Sequence, residues 1–415
     1  MYIINIQRRI FIFSHSFTRK VHNMKKITLL ILLLCAQHSF AQYKDQLSTK
    51  VSVAINANLE TYFFAEKLAV EHINDFVFDH QGWDYTHQPI VHYGFLHFYP
   101  HINTPVIVKI SALLQIVKST YQDNSPILNY LVNQKEFPAR GPLFNEFPND
   151  PVHPEMTAVL TELTDSLRSF YQLANVGVFI KENAHFYQGA LKEVEKDIDA
   201  SSFFALEKWY GKTYPQYCIY LTPGMPITKG EDNYRGFGPR INSPKGIIPA
   251  MIMSSDRMLA PKSDLASYMN YGFDNAGVTH FLSKHEISHS FVNPIIEKYA
   301  SQLKRDSALF TPALKQILAP HYINDWYVCV IEHLVRLGEI RTAISIKNYK
   351  EADRLRQLHI HGEKCVLIPM LETKIRRYET DRKHYPTFES YLPELVSYLH
   401  SLTPSIINDQ VKKFN

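Results

Sequence analysis

The chain has 415 residues, 45% of them hydrophobic and 20% charged, with a net charge of +4. That length and apolar share suffice for a sizeable core and argue against a disordered or fibrous protein. The positive excess sits at the start: residues 1–41 hold Arg8, Arg9, Arg19, Lys20, Lys25 and Lys26 and no acid, so the remainder carries −2 and gives a nucleic-acid partner no support.

Met24-Lys25-Lys26, the apolar run Ile27 to Cys35 and the small-x-small site Ser39-Phe40-Ala41 read as a signal peptide over 24–41, preceded by an upstream extension over 1–23. The mature chain is then expected to start at Gln42 and to be secreted or periplasmic. Leu34 stands before Cys35 where lipidation wants a small residue, so cleavage is preferred to a lipid anchor at Cys35. No later apolar run approaches the ~18 residues a membrane span needs, so none is expected in the mature chain. Cys218, Cys329 and Cys365 remain after cleavage and have no metal-ligand spacing. One disulfide among them stays open, and Cys329 reads as an apolar filler.

Residues 42–210 read as a mostly helical N-terminal region. Its first strand is Val51 to Ile55, where alternation has a two-residue period, and Glu60 to Val70 follows as helix. Gly82 to Pro105, rich in His, Tyr and Pro, reads as irregular. Helices are expected over 106–121 and 125–133, then a Pro-rich stretch from Phe137 to Pro154, then helices through 155–210. Gln216 to Leu221 and Gly246 to Met253 are the next strands. Pro249 lacks the donor a central ladder needs, which places the second of them at a sheet edge. The loop between them, with Asn233 to Gly238, matches no phosphate-cradle pattern.

The next helix starts near Asp274 or Asn275, both acceptable caps, and is expected to stop around Asn293-Pro294. Val278, Phe281, Leu282, His285, His289 and Val292 form one stripe along it, with spacings of three and four. His285-Glu286-Ile287-Ser288-His289 fits His-Glu-x-x-His. Residues four apart project from one helical face, so both imidazoles can reach one ion while Glu286 addresses a water beside it. As ordinary core histidines the pair would instead be bonded to backbone carbonyls, with Glu286 on a solvated face.

The third ligand follows by elimination. Val292 and Ile295 stand where a metzincin needs Gly and His. After Glu297, which lies past the proline, the next glutamate is Glu332, in the apolar helical run Trp326 to Arg336 capped by Asn324 or Asp325. Flanked on its own face by Val328, Ile331 and Val335, this carboxylate needs a partner or a metal. Arg336, one turn on, can hold its second oxygen. Glu339, His333, His321 and Asp325 are the weaker substitutes. The last helices are expected over 350–380 and 387–402, the latter started by Thr387 and interrupted near Pro393. His359 and His361, two apart, read as surface residues.

With these residues in place the chain resembles the gluzincin group of zinc metallopeptidases, in which a His-Glu-x-x-His helix supplies two ligands and a later helix a glutamate. The resemblance rests on His285, Glu286, His289 and Glu332 and covers about residues 215–345. The chain also resembles an uncharacterised family of secreted bacterial proteins with a His-Glu-x-Ser-His-Ser-Phe stretch followed by a Glu-His-Leu-Val-Arg helix. The resemblance implies an α+β, zincin-like fold: a small mixed sheet with an edge strand beside the metal-binding helix, surrounded by many helices. Residues 211–415 would then be the metal-binding region.

The expected activity is zinc-dependent hydrolysis, most directly of peptide bonds. One Zn2+ would be held by His285, His289 and Glu332, with Glu286 as general base, Arg336 behind the third ligand and a peptide or protein as substrate. Tyr234, Arg235, Tyr322 and Tyr349 are the candidate oxyanion donors. The alternative is a secreted peptide- or glycan-binding protein with a degenerate or structural metal site.

Overall fold

The structure, a computed structural model, describes residues 43–73, 85–121, 123–144, 153–227 and 233–414. The expected extension, signal peptide, mature start at Gln42 and Cys35 lie outside the described residues. From Asp45 onward the chain forms one compact unit. It is an α+β protein with a small, open, mixed sheet and many helices.

Six strands make the sheet: β1 (Lys44–Gln46), β2 (Val51–Ile55), β3 (Tyr217–Leu221), β4 (Gly236–Phe237), β5 (Arg240–Ser243) and β6 (Gly246–Met253). Their order is β1-β2-β3-β6-β4, with β5 also on β6. β2, β3 and β6 are parallel, and β4 and β5 run antiparallel to β6. Every residue of β2 is buried, as is β6 from Ile248 on, because a parallel sheet is covered on both faces.

The edge expected at Gly246–Met253 lies one strand further out. β6 is flanked on both sides, and the segment Gly236–Ser243, read from sequence as loop, forms the edge. Pro249 is tolerated for a local reason. Ala250 donates its N–H to Pro239 O on the β4–β5 flank, so the donor that Pro249 lacks would face β3. Pairing with β3 begins only at Ala250, and no ladder bond is lost there.

The helix Ala276–Ile296, hereafter the histidine helix, packs on β6 and starts at the Asn275 cap. It does not stop at Pro294. A proline at that position removes the N–H that would bond the carbonyl of Ser290. Tyr214 replaces it, donating its hydroxyl to Ser290 O at 2.5 Å, with its ring edge-on to Phe291. The helix therefore runs on through Ile296. Asp325 caps the helix Trp326–Ser345, the carboxylate helix, by accepting from Val328 N at 2.8 Å, and this helix packs across the histidine helix.

Three further segments depart from the expectation. Pro89–Phe98 forms a helix inside the stretch read as irregular, because Pro89 stands at the first turn, where a missing N–H is harmless. The helix expected over 350–380 divides into Tyr349–Arg356, a wide π-type turn Gln357–Gly362 and Ile368–Thr380. Phe388–His400 continues through Pro393 without interruption. Cys218, Cys329 and Cys365 are free and buried. Among the described residues no helix is long and apolar enough to cross a membrane.

The Tyr214–Ser290 bond makes a prediction about stability. Tyr214→Phe is expected to cost about 1–3 kcal/mol, the penalty for an unpaired buried carbonyl. In a Pro294→Ala background, where the substituted residue supplies the missing N–H, the same change is expected to cost clearly less. Urea denaturation of the four proteins in this double-mutant cycle measures the difference; equal costs in both backgrounds would refute the compensation.

Candidate metal centre

His285 and His289 leave the histidine helix on one side, one turn apart, with Phe281 stacked on the His285 ring at 5.2 Å. His285 is buried and His289 half-buried. Each ring is anchored through Nδ1. Glu339 Oε1 lies 2.9 Å from His285 Nδ1, and Asn293 Oδ1 lies 3.1 Å from His289 Nδ1. Both partner atoms are acceptors, so both Nδ1 atoms carry the proton, and in the neutral imidazoles both Nε2 atoms present lone pairs.

Those two lone pairs converge. The Nε2 atoms lie 3.2 Å apart, and each is 3.6 Å from a different oxygen of Glu332, Oε2 for His285 and Oε1 for His289. Two acceptors pointed at one another repel unless a cation sits between them. Donors about 2.1 Å from a tetrahedral zinc stand about 3.4 Å from each other, close to the separation of the two Nε2 atoms. Ligand atoms of His285, His289 and Glu332 all fall within 4.8 Å of one another. These are the three side chains that the sequence selects.

Glu332 comes from the carboxylate helix. Burial would raise its pKa, but the Arg336 guanidinium and the two imidazoles outweigh burial and hold it at about 2. Arg336, itself buried, bonds Oε2 from one turn on, as its spacing implies. For His285 burial works against the charged form, yet the carboxylates of Glu339 and Glu332 raise its pKa.

The substitutes for the third ligand are placed elsewhere. Asp325 caps its helix. His333 turns into the core with Nδ1 2.7 Å from Cys329 O, and burial lowers its pKa to about 4. His321 is not part of the trio and stands on the short turn Ala319–His321. Glu339 stands outside the trio and holds the His285 ring through Nδ1. With Arg336 and Glu332 it forms an i, i+4, i+7 polar stripe on a largely apolar helix, which is the signal that marks it. His359, read as a surface residue, is buried and bonds Glu339, while His361 is exposed. Two-residue spacing points the pair apart, and the π-type turn puts His359 inside.

Glu286 sits under the edge strand. A side chain at Gly236 would meet Glu286 Oε1 at 2.9 Å, and one at Gly238 would meet Glu286 O at 2.8 Å. The two glycines let the edge strand lie flush on the residue between the two histidines. Trio and Glu286 line a cleft of about 670 Å³, whose far wall includes Asp123, Ser125, Pro126 and Asn129. Tyr322, the one member of the four proposed oxyanion donors that lines this cleft, is 80% exposed and has φ of 59°, a left-handed conformation uncommon for its residue type. Arg235 instead donates to Pro226 O at 3.1 Å, Tyr234 lies edge-on to Phe281, and Tyr349 is exposed outside the cleft.

No curated protein and no solved structure matches the chain. A family model matches residues 150–398, more than half of the sequence, and covers the trio, Glu286 and the edge strand, while the cleft wall at 123–129 precedes it. The chain therefore belongs to the family described as Domain of unknown function (DUF4932).

Proposed function

We propose that this chain is an exported zinc-dependent peptidase of gluzincin type, with a zincin-like arrangement of edge strand and metal helix. The observation that carries the reading is the convergence of two Nε2 lone pairs and one carboxylate at ligand spacing. An anchored pair of imidazoles with a half-buried, ionised glutamate is the donor set of a catalytic zinc site, in which three protein ligands leave one position open.

Zinc held there supplies Lewis acidity, which brings the pKa of water down to about 7. Glu339 and Asn293 accept from the Nδ1–H groups of His285 and His289 and so hold both rings turned with Nε2 towards the site. Arg336 draws off one oxygen of Glu332 and leaves the other for the ion. Glu286, facing the cleft, takes the proton of the attacking water and passes it to the leaving amine. Tyr322 on the rim donates its hydroxyl to the developing oxyanion. The open side of β4 gives an extended peptide a strand to pair with, next to Glu286. A cleft of this volume holds a few residues of such a chain.

Three variants test the assignment against a mixed library of quenched fluorogenic peptides, with zinc content read by elemental analysis. Glu286→Gln is expected to keep one zinc per chain and lose turnover by about 10²–10⁴-fold. Unchanged turnover in that variant removes Glu286 from the role. Glu332→Ala is expected to lose the metal, and retained stoichiometric zinc would move the third ligand elsewhere. Tyr322→Phe is expected to lower kcat by about 10²-fold at constant KM and zinc content; wild-type kcat would strike it from the mechanism. A wild-type protein that binds zinc and peptides but cleaves none would favour the binding module instead.

A further inference from the structure

His359 has no ligand position, yet both its ring nitrogens are committed. Nε2 lies 3.0 Å from Glu339 Oε2, and Nδ1 lies 2.8 Å from Glu363 Oε2. An ionised carboxylate only accepts, so both nitrogens donate and the ring is an imidazolium. It is fully buried, and the Glu339 side chain is 1% exposed. Burial opposes the charge, but Glu339 and Glu363 outweigh it and raise the pKa of His359.

The two carboxylates lead in opposite directions to the same place. Glu339 Oε1 holds His285 Nδ1 at 2.9 Å. Glu363 Oε2 accepts from Arg336 Nε at 2.5 Å, and Arg336 Nη1 donates to Glu332. The contacts form a closed circuit through His285, Glu339, His359, Glu363, Arg336 and Glu332, which ends where it began, at two of the three converging ligands. Three carboxylates in that circuit face one guanidinium and one fixed imidazolium, so the buried set keeps a net negative charge that a divalent cation offsets.

We propose that His359 is the positioning residue of the metal centre, orienting His285 through Glu339 and Glu332 through Glu363 and Arg336. The proposal rests on the zinc reading above. It assigns to the π-type turn Gln357–Gly362 a purpose that no contact with substrate supplies: this turn buries His359 while His361 stays in solvent.

The test compares zinc affinity, by chelator competition, in wild type, His359→Gln and the control His361→Ala. A glutamine can donate to one carboxylate and not to both. His359→Gln is expected to weaken zinc binding by about 10–100-fold, the usual effect of losing a partner behind a ligand. In the same variant, Co2+ is expected to show a shifted d–d absorption band, a change that a remote packing defect does not cause. His361→Ala is expected to match wild type in both readouts. Wild-type affinity and spectrum in folded His359→Gln, or an equal loss in His361→Ala, overturns the proposal. Should His359→Gln fail to fold by circular dichroism, Glu363→Gln decides, because it cuts the Arg336 arm alone; unchanged affinity there overturns the proposal. Absence of zinc binding by the wild type would defeat the metal reading itself, and that outcome is distinct from all of these.

Discussion

Two imidazole nitrogens, each with its lone pair free and its other nitrogen already committed, face one another across 3.2 Å. In water such a pair would turn away; in this fold it cannot. Glu339 and Asn293 fix the rings from behind, Phe281 stacks on one of them, and Glu332 closes the third side. The arrangement is repulsive by itself and becomes favourable when a cation is shared. A metal bound there would couple to the integrity of this part of the fold, because the free energy of binding would also offset the cost of holding the donors together.

Burial gives the coupling its strength. Arg336, Glu339 and His359 are all nearly inaccessible, and a lone buried charge of this kind costs several kcal/mol. Each is paired, and none is paired with only one group. Such a network resists piecemeal change: removing one member leaves its neighbours unpaired in a low-dielectric interior. The Glu339 and Glu363 carboxylates are held ionised for the same reason, with Glu363 at about 2 despite a burial that would raise it. The proposed general base stands apart from this network. Glu286 lies on the cleft side, between histidine turns and under two glycines that leave it room.

The sequence discloses those features that depend on one helix. Spacing of four brings His285 and His289 together without any tertiary information, and an acid alone on an apolar stripe points to Glu332. The strand Val51–Ile55 is visible from its two-residue alternation, and Tyr217–Leu221 and Gly246–Met253 as mostly apolar runs. What the sequence hides depends on distant partners. Gly236 to Ser243 has no alternation and is a strand only because β6 offers it a ladder. Pro294 reads as a helix stop because nothing local announces that Tyr214, far earlier in the chain, replaces the lost donor. His359 looks like a surface residue until the π-type turn and Glu339 are seen around it.

The central claim is that one divalent cation belongs between His285, His289 and Glu332. The most direct measurement is a crystal structure of the zinc-loaded protein with anomalous data collected on both sides of the zinc edge. The account predicts one strong anomalous peak about 2.0–2.2 Å from both Nε2 atoms and from one Glu332 oxygen. A peak at some other group of side chains, or none at this trio in crystals grown with excess zinc, would contradict it.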